Sequence, residues 1–250
     1  MKEKNGALCG VVLAAGAGSR LGYPNKLGGK PMVRAAGRPL VDHALIKLAA
    51  AGLSDVALVV NPANRLVIEA HVADGRAFGL RVTYVVQHEP LGIAHALSLC
   101  EDFAAGRHVL LLLVDNLFQA DIRRAVAAYT VQAQMDTDQA EIFLVRVPNP
   151  QDYGVAVLAG ENIAALVEKP SSFISDLAVI GLYLYPPEAF GLIPALSPSA
   201  RGELEITDLN SLFLQKGRLS YQKLSGWWLD VGTEERLAQA ERLLAEQGLL

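Results

Sequence analysis

Short apolar runs alternate with helix-like segments through the first half of the chain. The first and the last of these runs are almost continuously apolar, which is typical of strands buried on both faces of a parallel sheet. These strand-like runs span residues 8–13, 56–60, 81–86 and 108–114. Segments with a helical repeat separate them, at residues 40–51, 65–72 and 92–100. The alternation predicts a parallel sheet covered by helices on both faces, and ligands of such sheets bind at the carboxyl ends of the strands.

Strand-like segments follow one another closely in the second half of the chain. A separate strand is predicted at 220–224, and the closely spaced segments span residues 141–147, 154–158, 163–167 and 177–185. This close spacing indicates antiparallel pairs rather than strands joined by crossover helices. Helices are predicted at 204–215 and at 233–247, where the apolar residues of the closing helix share one face.

Composition narrows the class of protein. The chain has 250 residues, of which 52% are hydrophobic, and a formal net charge of −4. A sizeable core is therefore possible, whereas no basic excess indicates binding to nucleic acid or to an anionic membrane. No apolar run reaches the roughly 18 residues of a membrane span. Cys9 and Cys100 both lie in apolar settings, which favours buried thiols in a reducing compartment over a disulfide. We expect a soluble, cytoplasmic protein.

A glycine-rich turn follows the first strand and ends in a cation. Gly16 and Gly18 let the backbone come close to a ligand, and successive backbone N–H groups in such a turn form a concavity that binds anions. Arg20 can contact phosphate oxygens through two N–H groups, and Lys30 adds a second positive charge. The stretch therefore predicts a nucleoside triphosphate site at the carboxyl end of the first strand.

Three other interpretations of this stretch are weaker. A secretory signal would use Lys2 and Lys4 as its basic start, but the sheet needs this segment as a strand. A dinucleotide-binding fingerprint needs GxGxxG, whereas the glycines at 16, 18 and 22 give GxGxxxG. A P-loop around Lys30 needs a glycine at position 24 and a hydroxyl residue at position 31, and both positions hold proline.

Three blocks near the start of the chain carry a resemblance to a known family. They are Gly-Ala-Gly-Ser-Arg-Leu at 16–21, Lys-Pro at 30–31 and Ala-Gly-Arg-Pro-Leu at 36–40. The chain resembles the sugar-1-phosphate nucleotidylyltransferases, most of all the glucose-1-phosphate thymidylyltransferases, and the resemblance continues in order to its end. It implies an α/β fold with a Rossmann-like, mixed, mainly parallel central sheet, helices on both faces and an antiparallel sugar-binding lobe. It also implies a single domain, with the nucleotide-binding half at about 1–140 and the sugar-binding half and closing helix at about 141–250.

The resemblance assigns the residues that would bind the nucleotide. Arg20 and Lys30 match catalytic positions of the family. The backbone of the first loop would bind the nucleotide through Leu13, Ala14, Ala15, Gly16, Gly18 and Ser19. Gln87 and Gly92 match positions that read the base, and a Gln amide offers both a donor and an acceptor to the edge of thymine or uracil. From the residues alone, a surface turn explains Gln87 better.

Two aspartates match metal ligands of the family. Asp115 follows the fourth strand, where a carboxylate is well placed to hold Mg²⁺ on a triphosphate, although a turn or cap aspartate explains this block equally well. Asp230 precedes Thr233, which is expected to cap the last helix. The resemblance implies that both aspartates bind Mg²⁺, the expected cofactor. Val114 departs from the glycine that is usual before the first aspartate, and this change would crowd the nucleotide.

A third set of residues matches the sugar-phosphate site of the family. It consists of Tyr153, Gly154, Glu168, Lys169, Val179 and Arg201. A carboxylate accepts hydrogen bonds from sugar hydroxyls, and a lysine or arginine neutralises the sugar phosphate. An exposed charge pair at a strand end also explains Glu168 and Lys169. Glu203 and Glu205 are explained by the first turn of a helix, where acidic residues are favourable.

The expected function is nucleotidyl transfer between dTTP or UTP and a sugar 1-phosphate, with glucose 1-phosphate as the expected sugar substrate. Pro31 stands where thymidylyltransferases often carry glutamine, and this weakens thymidine relative to uridine. One alternative is a nucleotide- or sugar-binding regulatory relative with reduced activity, and another is a nucleotidyltransferase for a non-sugar phosphate acceptor. The resemblance also implies a homo-oligomer, a dimer or a tetramer.

Overall fold

The computed structural model describes residues 8–16, 23–135 and 138–246. The chain divides into two compact units. The first, called here the amino-terminal unit, consists of Cys9–Pro90, Leu112–Arg123 and Gly226–Leu250. The second, called the central unit, consists of Met1–Leu8, Leu91–Leu111 and Arg124–Ser225.

The predicted strands and helices occur in the predicted order among the described residues. The strands are β1 (Leu8–Leu13), β2 (Arg34–Ala35), β3 (Arg38–Pro39), β4 (Asp55–Val60), β5 (Arg81–Val86), β6 (His108–Leu113), β7 (Asn116–Phe118), β8 (Ala140–Arg146), β9 (Gly154–Ala159), β10 (Asn162–Glu168), β11 (Leu177–Tyr185), β12 (Leu219–Lys223) and β13 (Trp228–Asp230). The α-helices are α1 (Leu40–Ala50), α2 (Arg65–Val72), α3 (Ile93–Ser98), α4 (Glu101–Ala104), α5 (Arg123–Gln134), α6 (Glu188–Leu192), α7 (Ile206–Gln215) and α8 (Glu234–Glu246). Single 3₁₀ turns lie at Asn25–Leu27, Lys30–Met32, Arg76–Phe78, Pro150–Asp152 and Ile193–Ala195. The additional elements β2, β3, β7, β13, α4, α5 and α6 were not predicted.

Parallel strands form the core of the amino-terminal unit. β1 pairs with β4, and β4 with β5, in both cases in parallel, and the last residues of β6 lie on the other side of β1. The side chains of β1 and β4 are almost all buried, as the continuous apolar runs predicted. Helix α1 ends before Gly52, whose φ of +92° is favourable only for glycine. The predicted α/β fold class is confirmed.

A short antiparallel pair in the amino-terminal unit was not predicted. β7 and β13 have three residues each, and their register places Asn116 opposite Asp230. Segments this short carry no alternation that a sequence pattern can detect. This pair brings the two predicted metal ligands to adjacent positions.

Antiparallel strands dominate the central unit, as predicted. Its strands lie in the order β10–β9–β11–β6, and β8 pairs with β11. β12 pairs with β8 in parallel, so this unit contains a mixed sheet. Helix α7 begins two residues later than predicted, because Glu205 is still extended, with φ −75° and ψ 136°. Tyr185 of β11 is fully buried and donates a hydrogen bond to Asn210 Oδ1 at 2.6 Å, which attaches α7 to the sheet.

Two predictions from composition can be compared with the structure. Cys9 and Cys100 are both buried, and no disulfide joins them in the described part of the chain. Every helix among the described residues is too short or too polar to cross a membrane.

Candidate functional site

The backbone that leaves β1 is held by two asparagines. Asn64 Nδ2 donates to the carbonyl oxygen of Ala14 at 2.9 Å, and Asn61 Nδ2 donates to that of Ala15 at 2.9 Å. Leu13 accepts a hydrogen bond from the Val114 N–H at 3.1 Å. Because their carbonyl groups are fixed, residues 13–15 give the predicted nucleotide loop a rigid start. Asn61 and Asn64 directly follow β4, and neither was predicted from the sequence as a site residue.

Gly18, Ser19 and Arg20 lie outside the described residues. Gly16 is described, and a Cβ atom built on it would meet no atom of the described residues within 4 Å.

Lys30 reaches both predicted metal ligands. Its Nζ donates to Asp115 Oδ2 in a short ion pair and lies 4.0 Å from Asp230 Oδ1. A glycine pair with positive φ, Gly28 at +95° and Gly29 at +62°, forms the turn that leads into Lys30. The lysine side chain is 13% exposed, compared with 20% and 22% for the two aspartates. A cation at this place contacts both carboxylates at once.

Hydrogen bonds to the backbone and side chains orient the two aspartates. The Val231 N–H donates to the Asp115 carbonyl oxygen at 2.8 Å. Asn116 Nδ2 donates to Asp115 Oδ1 at 2.8 Å, and Trp228 Nε1 donates to Asn116 Oδ1 at 2.8 Å. The Asp230 carboxylate lies 3.4 Å from Arg236 Nη1. These contacts fix both carboxylates on β7, β13 and the residues that flank them.

The arrangement fits a magnesium ion that is carried by a phosphate substrate. Mg²⁺ is bound by one or two protein carboxylates, and its other ligands come from water and substrate phosphates. Among the described residues, no three His, Cys, Asp or Glu side chains are grouped to hold a metal ion. Asp115 and Asp230 would therefore form a two-carboxylate site, and Lys30 marks the position where positive charge is favourable.

Three residues that were predicted to affect nucleotide binding, Val114, Gln87 and Gly92, are each buried or closely packed. Val114 is buried beside β1 and donates its N–H to Leu13, so its effect on the nucleotide stays a prediction. Gln87 is only 7% exposed, which argues against a surface turn residue. Gly92, in the central unit, has a φ of +105°, and a Cβ atom there would lie 2.5 Å from the carbonyl oxygen of Leu204. Chain packing alone therefore requires glycine at position 92.

The predicted sugar residues form a cluster in the central unit. Glu168 Oε2 accepts a hydrogen bond from Thr207 Oγ1 at 2.6 Å, and Glu168 Oε1 lies 3.9 Å from Lys169 Nζ. A Cβ atom on Gly154 would lie 3.0 Å from both Glu168 Oε2 and Thr207 Oγ1, so a larger residue would press on this pair. The Lys169 N–H donates to the Tyr153 carbonyl oxygen at 3.0 Å. The structure thus brings together four residues that the sequence analysis selected, and adds Thr207.

Val179 and Arg201 complete this set. Val179 of β11 is half-buried, whereas its neighbours Ala178 and Ile180 are fully buried, and its contact with a sugar stays a prediction. Arg201 Nη2 lies 3.4 Å from Glu168 Oε1. It also donates to both carboxylate oxygens of Glu205 at 2.8 Å. Burial lowers the pKa of Arg201, but its hydrogen bonds to Glu205 and the charge of that residue outweigh burial, so the net shift of this pKa is upward.

A cavity of about 320 Å³ lies elsewhere in the amino-terminal unit, beside α1, β7 and α8. Lys47 lines it and donates to the carbonyl oxygens of Phe118 at 3.0 Å and Ala120 at 3.2 Å. Burial lowers the pKa of Lys47, opposed by the charge of Asp121. None of the predicted site residues that the structure describes lines this cavity. Because its walls come from three distant parts of the chain, no local sequence signal could have indicated it.

Comparison with known proteins gives consistent matches over almost the whole chain. The model of the nucleotidyl transferase family matches residues 9–247. A glucose-1-phosphate thymidylyltransferase of Neisseria meningitidis is 39% identical and aligns over 92% of this chain and 80% of its own length. The low-salt glycan biosynthesis nucleotidyltransferase Agl11 of Haloferax volcanii is 34% identical over 95% of this chain, which spans 66% of that relative.

Solved structures agree with these matches. A Bacillus anthracis protein assigned as a glucose-1-phosphate thymidylyltransferase, crystallised with sucrose, has a TM-score of 0.88 and 39% identity, and 95% of each chain is covered. A UDP-glucose pyrophosphorylase in complex with UDP-glucose has a TM-score of 0.82 at 22% identity, with 96% of this chain and 100% of that chain covered. The second likeness concerns the fold alone.

Proposed function

Because this chain belongs to the nucleotidyl transferase family, we propose that it joins a nucleoside triphosphate to a sugar 1-phosphate and releases pyrophosphate. The proposed substrates are dTTP or UTP and glucose 1-phosphate. The names of the relatives in Neisseria and Bacillus support dTTP and glucose 1-phosphate. Pro31, in the place of a glutamine, supports UTP.

The observation that carries the proposal is the contact of Lys30 with Asp115 and Asp230. A cation held near two carboxylates, beside the backbone that leaves β1, suits a triphosphate better than a neutral ligand. Bound Mg²⁺ would supply positive charge to the phosphate groups during transfer. Asp115 and Asp230 would hold this ion. When a triphosphate binds, the Lys30 ammonium group would exchange a carboxylate partner for phosphate oxygens.

The transfer itself needs little proton chemistry. An oxygen of the sugar phosphate attacks the α-phosphorus, the new P–O bond forms, and the bond to the β-phosphate breaks to release pyrophosphate. Because the attacking group is already an anion, no general base is required. The residues act by positioning two anions that repel each other and by stabilising the charge that develops. Lys30 and the predicted Arg20 would bind the triphosphate, and Gln87 would contact the base.

The sugar 1-phosphate would be bound by the cluster in the central unit. Glu168 is oriented by Thr207 and would accept hydrogen bonds from sugar hydroxyls. Lys169 and Arg201 would neutralise the sugar phosphate. The predicted homo-oligomer and the cytoplasmic location stay predictions.

The test is pyrophosphate release with Mg²⁺ from each nucleoside triphosphate against several sugar 1-phosphates and against phosphocholine as a non-sugar acceptor. We expect release with dTTP or UTP and glucose 1-phosphate, and its loss in Asp115→Asn and Asp230→Asn. Nucleotide binding without release from any pair would favour the regulatory relative. Release with a non-sugar phosphate acceptor alone would favour the other alternative.

A further inference from the structure

Glu205 stands at the start of helix α7 but does not cap it. The residue is buried, and its side chain makes no hydrogen bond to the N–H groups of the helix. Its carboxylate instead accepts hydrogen bonds from Ser199 Oγ at 2.7 Å and from Arg201 Nη2 at 2.8 Å. A favourable interaction with the helix dipole therefore does not account for where this carboxylate points.

The contacts of Glu205 fix one edge of the Arg201 guanidinium. Arg201 Nε lies 3.2 Å from Glu205 Oε1, and Nη2 lies 2.8 Å from each carboxylate oxygen. Arg201 contacts Glu168 and Glu203 through Nη2 as well, at 3.4 Å and 3.6 Å. Among the described residues, none engages Arg201 Nη1. Because a guanidinium is planar and rigid, fixing Nε and Nη2 also fixes the direction of Nη1.

We propose that Glu205 is a positioning residue that holds Arg201 so that its Nη1 edge meets the phosphate of the sugar 1-phosphate. The inference rests on the proposed function, because it takes its ligand from there. The Arg201 side chain is 44% exposed, so a ligand can reach it. Without Glu205, the long arginine side chain would sample several rotamers, and ligand binding would have to order it.

An explanation based on charge alone predicts the opposite change in phosphate binding when Glu205 is replaced, so the two explanations can be distinguished. Glu168, Glu203 and Glu205 outnumber the two cations of this cluster, Lys169 and Arg201. Removing one carboxylate should therefore strengthen phosphate binding if Glu205 acts only through its charge. If Glu205 positions Arg201, its removal should weaken binding.

The experiment compares Glu205→Gln and Glu205→Asp with the matched control Glu203→Gln. Glu203 lies 3.6 Å from the same Arg201 nitrogen but lacks the two-oxygen contact. We expect the KM for glucose 1-phosphate to rise about tenfold in both Glu205 variants, because a charge-assisted hydrogen bond is lost or displaced. The kcat and the KM for the nucleotide should stay within about twofold of the parent values. Glu203→Gln should leave the KM for glucose 1-phosphate unchanged or lower it.

Two further measurements distinguish failure of this inference from failure of the proposed function and from misfolding of a variant. Calorimetric titration with glucose 1-phosphate needs no turnover, so it tests Glu205 even if the parent protein releases no pyrophosphate. Melting temperatures identify variants that are damaged as a whole. The inference is overturned if Glu205→Gln binds glucose 1-phosphate as tightly as the parent or more tightly, if Glu205→Asp matches the parent, or if kcat and both KM values change together.

Discussion

The two charged clusters of this protein are built in different ways. In the amino-terminal unit, Lys30, Asp115 and Asp230 come from distant parts of the chain, and their side chains are at most 22% exposed. In the central unit, Arg201 and Glu205 are four residues apart, and the arginine is half exposed. Charges shielded from water interact strongly, whereas exposed pairs are screened. The first cluster thus depends on tertiary strand pairing, whereas the Arg201–Glu205 pair of the second depends on local geometry, so substitutions should cost more in the first.

The largest effect is expected for Asp115→Asn. This change removes a carboxylate that contacts Lys30 and that would hold the metal ion, so pyrophosphate release should fall by about a thousandfold, mainly in kcat. Steady-state kinetics with dTTP or UTP and glucose 1-phosphate measures it. Asp42→Asn is the control, because Asp42 is a buried aspartate of the same unit that pairs with His71. A loss smaller than tenfold in Asp115→Asn would remove the distinction between the two clusters.

Gly92→Ala should cause the next largest effect, and on stability rather than chemistry. The added Cβ would lie 2.5 Å from the Leu204 carbonyl oxygen, at a φ of +105°, next to the segment that leads into α7. Strain and steric overlap should lower the free energy of unfolding by about 3 kcal/mol. Chemical denaturation gives this value. Gly106→Ala is the control, since Gly106 has a φ of +80° but no atom within 4 Å of the added Cβ, and about 1 kcal/mol is expected there. Equal losses of unfolding free energy in Gly92→Ala and Gly106→Ala would show that the backbone at Leu204 moves to accommodate the added Cβ atom.

A buried carboxyl in the central unit should make stability depend on pH. Burial raises the pKa of Glu141 from 4.5 to about 7, against hydrogen bonds from Ser220 and Gln222. The folded state therefore keeps a proton that the unfolded state has lost, so stability falls as pH rises between these two values. The slope is about 1.4 kcal/mol per pH unit, or about 2 kcal/mol between pH 5 and pH 6.5. The free energy of unfolding of the parent should decline by this amount relative to Glu141→Gln. If the free energies of unfolding of the parent and of Glu141→Gln changed in the same way with pH, this prediction would be contradicted.

The sequence predicted the strands of both units because their apolar runs are long and unambiguous. It also selected Lys30, Asp115, Asp230, Glu168 and Arg201, and the structure brings them together in two clusters. It missed β7 and β13, which are too short to show a period, although they place the two aspartates side by side. It explained Glu205 by the helix dipole, because the direction of a side chain at a helix start depends on tertiary contacts. Asn61 and Asn64 were missed for the same reason, since their partners are carbonyl groups about fifty residues away.

The smallest expected effect, that of Thr207→Val, tests whether the central cluster also uses neutral hydrogen bonds. The hydroxyl of Thr207 donates to Glu168 Oε2 at 2.6 Å, and valine keeps the shape while removing the donor. Glu168 would then turn more freely, so the KM for glucose 1-phosphate should rise about fivefold while kcat changes little. Thr130→Val is the control, because the Thr130 hydroxyl donates a hydrogen bond to the Val126 carbonyl within α5.

Salt should weaken the effect of Glu205→Gln more than that of Thr207→Val, since screening acts on charges rather than on a neutral donor. Equal salt dependence would mean that both residues act through the charge of the cluster, and the central unit would then differ from the amino-terminal unit only in exposure.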